Sequence, residues 1–185
     1  KSNNYLETEN KKENDQLLIS TFDNQFSIED INNIFAESSI DMKFTDIAFH
    51  EKASKGKYIN ISDKGYRISN GNNLCSEIES ERLIWIFGGS TTFGYGVPDN
   101  ATIASNLSKI LKDKTQQDWC IRNYGRAYYY SSQELNLLTK LIIDEDIKKP
   151  KYIFFIDGLN DHINLSNSSL LITPISSINN ISYIN

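Results

Sequence analysis

Cysteine, methionine and proline are all scarce in this sequence of 185 residues, with two Cys, one Met and three Pro. The two cysteines, Cys75 and Cys120, do not form a Cys-x-x-Cys pair, which excludes the common zinc and thiol-redox signatures. For the cysteines themselves we expect buried free thiols, with a single disulfide as the alternative.

The sequence also lacks an excess of basic residues and any long apolar run. It has 19 Lys and Arg against 24 Asp and Glu, a formal net charge of -5. Because no basic stripe could follow a phosphate backbone, we expect no nucleic-acid partner and favour a small, neutral or weakly polar substrate. No apolar run approaches the ~18 to 20 residues of a membrane span. The start at Lys1 leaves open export or anchoring through a removed segment.

Composition divides the chain into three parts. Residues 1–26 are polar and charged, which predicts a flexible, solvated lead-in. Residues 27–80 contain the patterns of one helix and one β-hairpin, which predicts an appendage. Residues 81–185 alternate between apolar strand patterns and helical patterns, which predicts the main domain.

Two local patterns define the appendage. A helix is predicted to begin after a Ser27 cap, since apolar residues follow at three-to-four spacing: Ile28, Ile31, Ile34 and Phe35. The segment KYINISDKGYRIS shows strand alternation on both sides of a turn from Ser62 to Gly65. This hairpin is predicted to cover one edge or end of the core.

The main domain shows the order strand, helix, strand, helix, strand. The strands are RLIWIFGG, CIRNYG and YIFFIDG, and the first is apolar throughout, as in a parallel strand buried on both faces. The first helix is predicted over residues 100–113, capped by Asp99 or Asn100, with Ile103, Leu107, Ile110 and Leu111 on one face. The second is capped by Ser131 or Ser132, with an apolar stripe of Leu135, Leu138, Leu141 and Ile142. The order predicts a doubly wound parallel α/β sheet, while residues 163–185 stay unassigned.

Ligands of such sheets bind beyond the carboxyl ends of the strands, so the three following loops matter most. The loops are GGSTTFG, NYGRAYYYSS and DGLNDH, and they contain Ser90, Gly125 and Asn160 at intervals of 35 residues. A serine at a glycine-flanked entry to a helix is exposed as a nucleophile. The backbone N–H of Ser90, that of Gly125 and the Asn160 side-chain amide could together form an oxyanion hole.

GGSTTFG, the glycine of NYGRA and GLND resemble the first three sequence blocks of the SGNH (GDSL-like) hydrolase superfamily. The resemblance covers about residues 82–162 and is similar to a bacterial GGST-type subgroup. It implies a flavodoxin-like three-layer fold, with Ser90 as nucleophile and Ser90, Gly125 and Asn160 as oxyanion donors. It implies a serine esterase or acyltransferase acting on a small-molecule or glycan ester, with an O-acetyl group as one candidate. This function requires no metal and no organic cofactor, and we expect neither.

Two features depart from this family pattern. Gly-Gly-Ser replaces Gly-Asp-Ser, and no Asp-x-x-His block supplies the base and its carboxylate partner. We therefore expect the C-terminal part of the domain to be absent from this sequence. Of the two histidines, His50 is interpreted as a structural or surface residue. His162 is interpreted as a weak candidate for the catalytic base. Asp157 and Asp161 are expected to hydrogen-bond the loop rather than to orient a histidine.

Two other functions remain open from the sequence. Gly89 to Gly94 fits a phosphate loop, although Tyr95 and Gly96 stand where its Lys and Ser or Thr belong. A flavodoxin-like cofactor or phosphate binder is therefore a minor alternative. The main alternative is a catalytically inactive SGNH scaffold that binds carbohydrate or serves in assembly, with the tyrosines at 128–130 stacking on sugar rings.

Overall fold

In a computed structural model of the protein, the described residues are 2–45, 47–69, 75 and 78–166. The helices are α1 Ser2–Thr21, α2 Ile28–Ser38, α3 Ser90–Phe93, α4 Ile103–Thr115, α5 Ser131–Ile143 and α6 Leu159–Ser166. The strands are β1 Met42–Phe44, β2 Phe49–Glu51, β3 Ser54–Lys55, β4 Asn60–Ile61, β5 Leu83–Gly88, β6 Cys120–Asn123 and β7 Tyr152–Ile156. Short 3-10 turns occur at Ser80–Arg82 and Asp99–Ala101.

A three-stranded parallel sheet forms the centre of the main domain. Its order is β6-β5-β7, and every residue of β5 is buried, which confirms the prediction from its apolar run. Since side chains alternate along a strand, Ile84 and Ile86 pack with Ala104 of α4, whereas Trp85 and Phe87 pack in a second cluster that includes α5. The predicted α/β class is therefore confirmed, and the complete doubly wound order stays a prediction.

The predicted apolar face of α4 is only partly buried, and its predicted N-cap was wrong. Leu107 and Leu111 do pack inward, but Ile103 and Ile110 are 37% and 51% exposed. The N-cap is Thr102, whose side chain accepts from the Ser105 N–H, rather than Asp99 or Asn100. Those two residues lie in a 3-10 turn, so the helix begins at Ile103.

The predicted apolar stripe of α5 is also only partly buried, and its predicted N-cap was wrong. Leu141 is buried, but Leu135 and Ile142 are 57% and 47% exposed. The N-cap is Tyr130, so neither Ser131 nor Ser132 caps this helix. The sheet covers a narrower face, formed by Leu137, Leu141 and one unexpected residue, Glu134.

The appendage forms the predicted helix and hairpin. The side chain of Ser27 caps α2 in a reciprocal arrangement with Asp30, and Ile31 and Ile34 are fully buried. The hairpin turn takes Gly65 to a φ of +76°, which glycine adopts without a Cβ penalty. Beyond the turn, Arg67 bridges Ile61 on one side and Asn123 of β6 on the other. The hairpin thus extends the main sheet at β6.

The polar lead-in forms a regular element that the sequence did not predict. α1 occupies Ser2–Thr21 and contacts α2, and most of its described side chains are exposed. Strongly polar composition indicates little burial but does not prevent helix formation where a neighbouring element supplies contacts. The boundary of the lead-in at residue 26 stays a prediction, as do the other two domain boundaries.

The prediction of free thiols was wrong. Cys75 and Cys120 form a disulfide, with their Cα atoms 5.2 Å apart across 45 positions of sequence. Their side chains lie in the core cluster beneath α5. Spacing along the chain could not reveal this pair, because the fold itself brings the start of β6 beside the segment before β5.

The edge strand β7 is apolar but partly exposed. Side chains on both of its faces remain 40–46% exposed: Tyr152, Phe154, Phe155 and Ile156. Among the described helices, none has both the length and the hydropathy that crossing a membrane requires. The unassigned tail lies outside the described residues, apart from the end of α6.

Candidate functional site

The turn from β5 into α3 presents Ser90. Gly88 ends the strand, Gly89 is the N-cap of α3, and Ser90 is the half-buried first residue of the helix. A Cβ on Gly88 would lie 2.2 Å from Thr92 Oγ1, so only glycine lets the Thr92 hydroxyl reach the Ile156 carbonyl at 2.9 Å. This bond ties α3 to the end of β7. Because Ser90 begins the helix, its N–H has no acceptor within the helix.

Asn160 lies beside the nucleophile turn. It belongs to the first turn of α6, and its Nδ2 donates a hydrogen bond to the Tyr129 carbonyl. A Cβ on Gly89 would lie 2.6 Å from that Nδ2 atom, which places the amide against the backbone immediately before Ser90. The amide group has a second N–H. The structure therefore brings Asn160 to Ser90, across 70 positions of sequence.

Gly125 lies against the same short helix. A Cβ at this position would be 2.4 Å from the Phe93 backbone nitrogen, so the contact with α3 requires glycine. The Gly125 N–H donates to Asn123 Oδ1 at 2.9 Å, so it already has an acceptor. Asn123 Nδ2 in turn donates to the Thr92 carbonyl at 2.8 Å. Asn123 is 1% exposed, and sequence reasoning missed it, although it is a polar residue ending an apolar strand.

A buried ion pair holds the loop that follows Gly125. Arg126 Nη1 lies 3.0 Å from Glu51 Oε2, and the two side chains are only 4% and 3% exposed. The Ala127 N–H donates to the other Glu51 oxygen at 3.1 Å, and the Arg126 N–H donates to the Gly88 carbonyl at 2.9 Å. Glu51 of the appendage thus fixes a loop of the site. Sequence reasoning missed this pair, since nothing in its spacing connects residues 75 positions apart.

Three carboxyl groups cluster beside Asn160. Asp161 accepts from the Ser131 hydroxyl at 2.6 Å and from the Ser131 N–H at 3.2 Å, which confirms its predicted role in the loop. Glu134 is fully buried. Burial and then the charge of Asp157 raise the pKa of Glu134 to about 8. Sequence reasoning missed Glu134, because a glutamate in a helix gives no local signal that it is buried.

The two histidines lie on separate elements. His50 belongs to β2, opposite Lys43 of β1, and its ring lies 3.9 Å from where a Gly65 Cβ would be. His162 is exposed in α6, where its backbone N–H donates to the Gly158 carbonyl at 2.9 Å. The geometry assigns the role of catalytic base to neither. Within the described ranges, no group of three or more His, Cys, Asp or Glu side chains is arranged to hold a metal ion.

Comparison with known proteins gives partial similarity to one esterase. No protein-family model and no curated protein match the sequence. The solved structure of AlinE4, an SGNH-hydrolase family esterase, is 24% identical over 50% of this chain and 46% of that chain, with a TM-score of 0.40. Two variants of esterase AlinE4 are 25% and 24% identical, each over 46% of this chain and 44% of theirs, with a TM-score of 0.39. The present chain thus spans less than half the length of these structures.

Proposed function

We propose that the protein is a serine esterase or acyltransferase of the SGNH type, with Ser90 as its nucleophile. The fold proposed with it is the flavodoxin-like doubly wound sheet of that family. One observation carries the proposal. The Asn160 amide lies against the turn that presents Ser90, at the carboxyl ends of parallel strands, where ligands of such sheets bind.

In the proposed reaction, Ser90 Oγ attacks the ester carbonyl and forms a tetrahedral oxyanion. A base takes the hydroxyl proton and returns it to the leaving alcohol as the acyl-enzyme forms. Water then hydrolyses the acyl-enzyme, or another alcohol accepts the acyl group. The base and its carboxylate partner have no assigned residue in this chain.

Three donors are proposed for the oxyanion. The Ser90 N–H and the second N–H of Asn160 serve directly, and the bond from Asn160 to Tyr129 fixes the orientation of the amide. The Gly125 N–H becomes the third donor to the oxyanion once its hydrogen bond to Asn123 Oδ1 is broken. Loss of one such donor costs about 100- to 1000-fold in kcat.

The substrate proposed is an ester of a small molecule or a glycan, with an O-acetyl sugar as the glycan candidate. Of the three consecutive tyrosines, Tyr129 is 3% exposed, whereas Tyr128 is 76% exposed. Tyr128 lies in the loop that contains Gly125, and we propose that its exposed ring contacts the substrate. A tyrosine ring can stack on the apolar face of a sugar.

The second candidate is a scaffold that binds carbohydrate without catalysis or serves in assembly. The occupied Gly125 N–H favours it, since a ready oxyanion donor would have no acceptor within the protein. The exposed Tyr128 suits sugar binding equally well. Measuring whether the protein hydrolyses an ester distinguishes the two functions.

The test is hydrolysis of p-nitrophenyl acetate together with covalent labelling by a fluorophosphonate. Ser90→Ala should abolish both signals, whereas Ser132→Ala, which removes an exposed hydroxyl on α5, should change neither. Hydrolysis that persists in Ser90→Ala would refute Ser90 as the nucleophile. Binding of an acetylated oligosaccharide without turnover, lost in Tyr128→Ala, would favour the second candidate.

A further inference from the structure

A fully buried guanidinium group connects the appendage to the helix of Ser90. Arg67 follows the hairpin turn and is 1% exposed. Its Nη1 donates to the carbonyl oxygens of Phe93, at 2.9 Å, and Gly94. Its Nη2 donates to the Val97 carbonyl at 2.6 Å, and its Nε donates to Asp99 Oδ1 at 3.0 Å. Every one of these acceptors lies within nine residues of Ser90.

The acceptors include the carbonyl groups at the end of α3. A helix leaves its last carbonyls without partners, and a helix of four residues has little stability of its own. Arg67 supplies donors to those carbonyls, and its positive charge lies at the end of the helix where a cation is favourable. The guanidinium carbon also lies 5.0 Å from the centre of the Phe93 ring. Arg67 therefore binds the carboxyl end of α3, in addition to the hydrogen bonds of Thr92 with Ile156 and Asn123.

Arg67 is itself held from two directions. Its backbone bridges Ile61 and Asn123, so it is built into the sheet between the hairpin and β6. Its ion-pair partner Asp99 accepts a second hydrogen bond from Asn60 Nδ2 at 2.7 Å. The sheet therefore fixes the backbone of Arg67, and Asp99 provides its guanidinium with a counter-charge in a fixed position.

We infer that Arg67 is a positioning residue for the nucleophile: it sets the position of α3 and thereby the direction of Ser90 Oγ. This inference rests on the proposed role of Ser90. A small displacement of a reacting group lowers the rate sharply, since the attack requires alignment within a fraction of an ångström. The appendage then contributes to the site through Arg67 without touching substrate.

Only arginine fits this arrangement. Three nitrogen atoms of one planar group reach four acceptors in different directions. Lysine keeps the charge but offers one nitrogen on a flexible stem, so it cannot reach all of them together. Arg67→Lys is therefore a sharper test than a neutral substitution, because charge and most of the volume remain.

The matched control is Arg122→Lys. Arg122 is also buried, at 5% exposure, and its guanidinium lies 5.3 Å from the centre of the Tyr66 ring, but no described hydrogen bond connects it to α3. In the full chain, we expect Arg67→Lys to lower the kcat for p-nitrophenyl acetate by about 10- to 100-fold with little change in KM. Amide hydrogen exchange should accelerate over residues 90–97. Arg122→Lys should alter neither quantity.

Unchanged exchange over residues 90–97 in folded Arg67→Lys, or equal acceleration in Arg122→Lys, would overturn the inference. If Arg67→Lys fails to fold, Asp99→Asn takes its place in the test. This variant should accelerate amide exchange over residues 90–97, because the guanidinium loses its counter-charge. Unchanged exchange in folded Asp99→Asn would also overturn the inference. If the wild-type chain shows no hydrolysis that depends on Ser90, the proposed function fails. The exchange measurement still decides whether Arg67 holds α3.

Discussion

Glu134 makes the stability of this protein depend on pH in a way that one substitution can remove. Its carboxyl is fully buried, and neither oxygen accepts a hydrogen bond from a described donor. Its polar neighbour is Asp157, which is also an acceptor when ionised. A proton on Glu134 resolves this conflict, consistent with burial and the charge of Asp157 raising the pKa of Glu134 from 4.5 to about 8.

The sign and size of the effect follow from proton linkage. Between pH 4.5 and 8 the folded state keeps the proton of Glu134, whereas the unfolded state has released it. The contribution of Glu134 to the free energy of unfolding is therefore fully present below pH 4.5. It falls as the pH rises and levels off above pH 8. At about 1.4 kcal/mol for each pH unit across this window, the loss reaches roughly 5 kcal/mol.

Glu134→Gln should remove this dependence, because glutamine has nearly the shape of the protonated acid and its amide N–H can donate to Asp157. Urea denaturation at intervals from pH 4.5 to 8.5 measures the free energy of unfolding of both proteins. As the pH rises, the free energy of unfolding of the variant should increase relative to that of the wild type by several kcal/mol, up to roughly 5. The control variant is Glu145→Gln, which makes the same substitution at an exposed position just after α5. A difference for Glu134→Gln that stays constant across this range would refute the reasoning.

Three further predictions concern the buried ion pair, the close contact of Gly125 and the disulfide. Glu51→Gln should lower the free energy of unfolding by about 3–5 kcal/mol, because it leaves the buried Arg126 charge unpaired. Glu37→Gln should lose less in the same urea titration, because among the described residues this carboxylate accepts from backbone N–H groups, those of residues 57–59, and pairs with no charged side chain; equal losses would contradict this account. Gly125→Ala should be destabilised by about 1–3 kcal/mol in thermal unfolding, since its Cβ meets backbone that cannot swing away, and an unchanged Tm would contradict the close contact. Reduction of the disulfide should lower stability by about 4 kcal/mol, given its separation of 45 residues, and a Tm indifferent to reductant would refute its contribution.

Local patterns predicted the elements that form the core of this protein. The apolar run of β5, the Ser27 cap of α2 and the Gly65 turn each depend on a few neighbouring residues, and the structure contains all three. The helical periods located α4 and α5 but did not show which part of each apolar face is buried. Periodicity indicates that a helix is amphipathic, whereas the sheet beneath it decides how wide a stripe is covered.

The candidate site was predictable to the extent that it follows from strand order. Loops after parallel strands meet at one edge of a sheet, so Ser90 and Asn160 could be expected to approach each other, and they do. Hydrogen-bond partners within that edge were not predictable. The acceptor of the Gly125 N–H is a buried side chain, and its choice depends on distances of a few tenths of an ångström.

Sequence alone determined the α/β class, the three loops and the residue types that they present, because these depend on short-range periodicity and on glycine, serine and asparagine at strand ends. Tertiary structure alone decided the disulfide, the raised pKa of Glu134, and the contacts of Arg67 and Glu51 that support the site. Each of these depends on a contact with residues more than 20 positions away. Such contacts leave no local spacing pattern, since they arise only when buried charges and thiols must find partners inside the folded core.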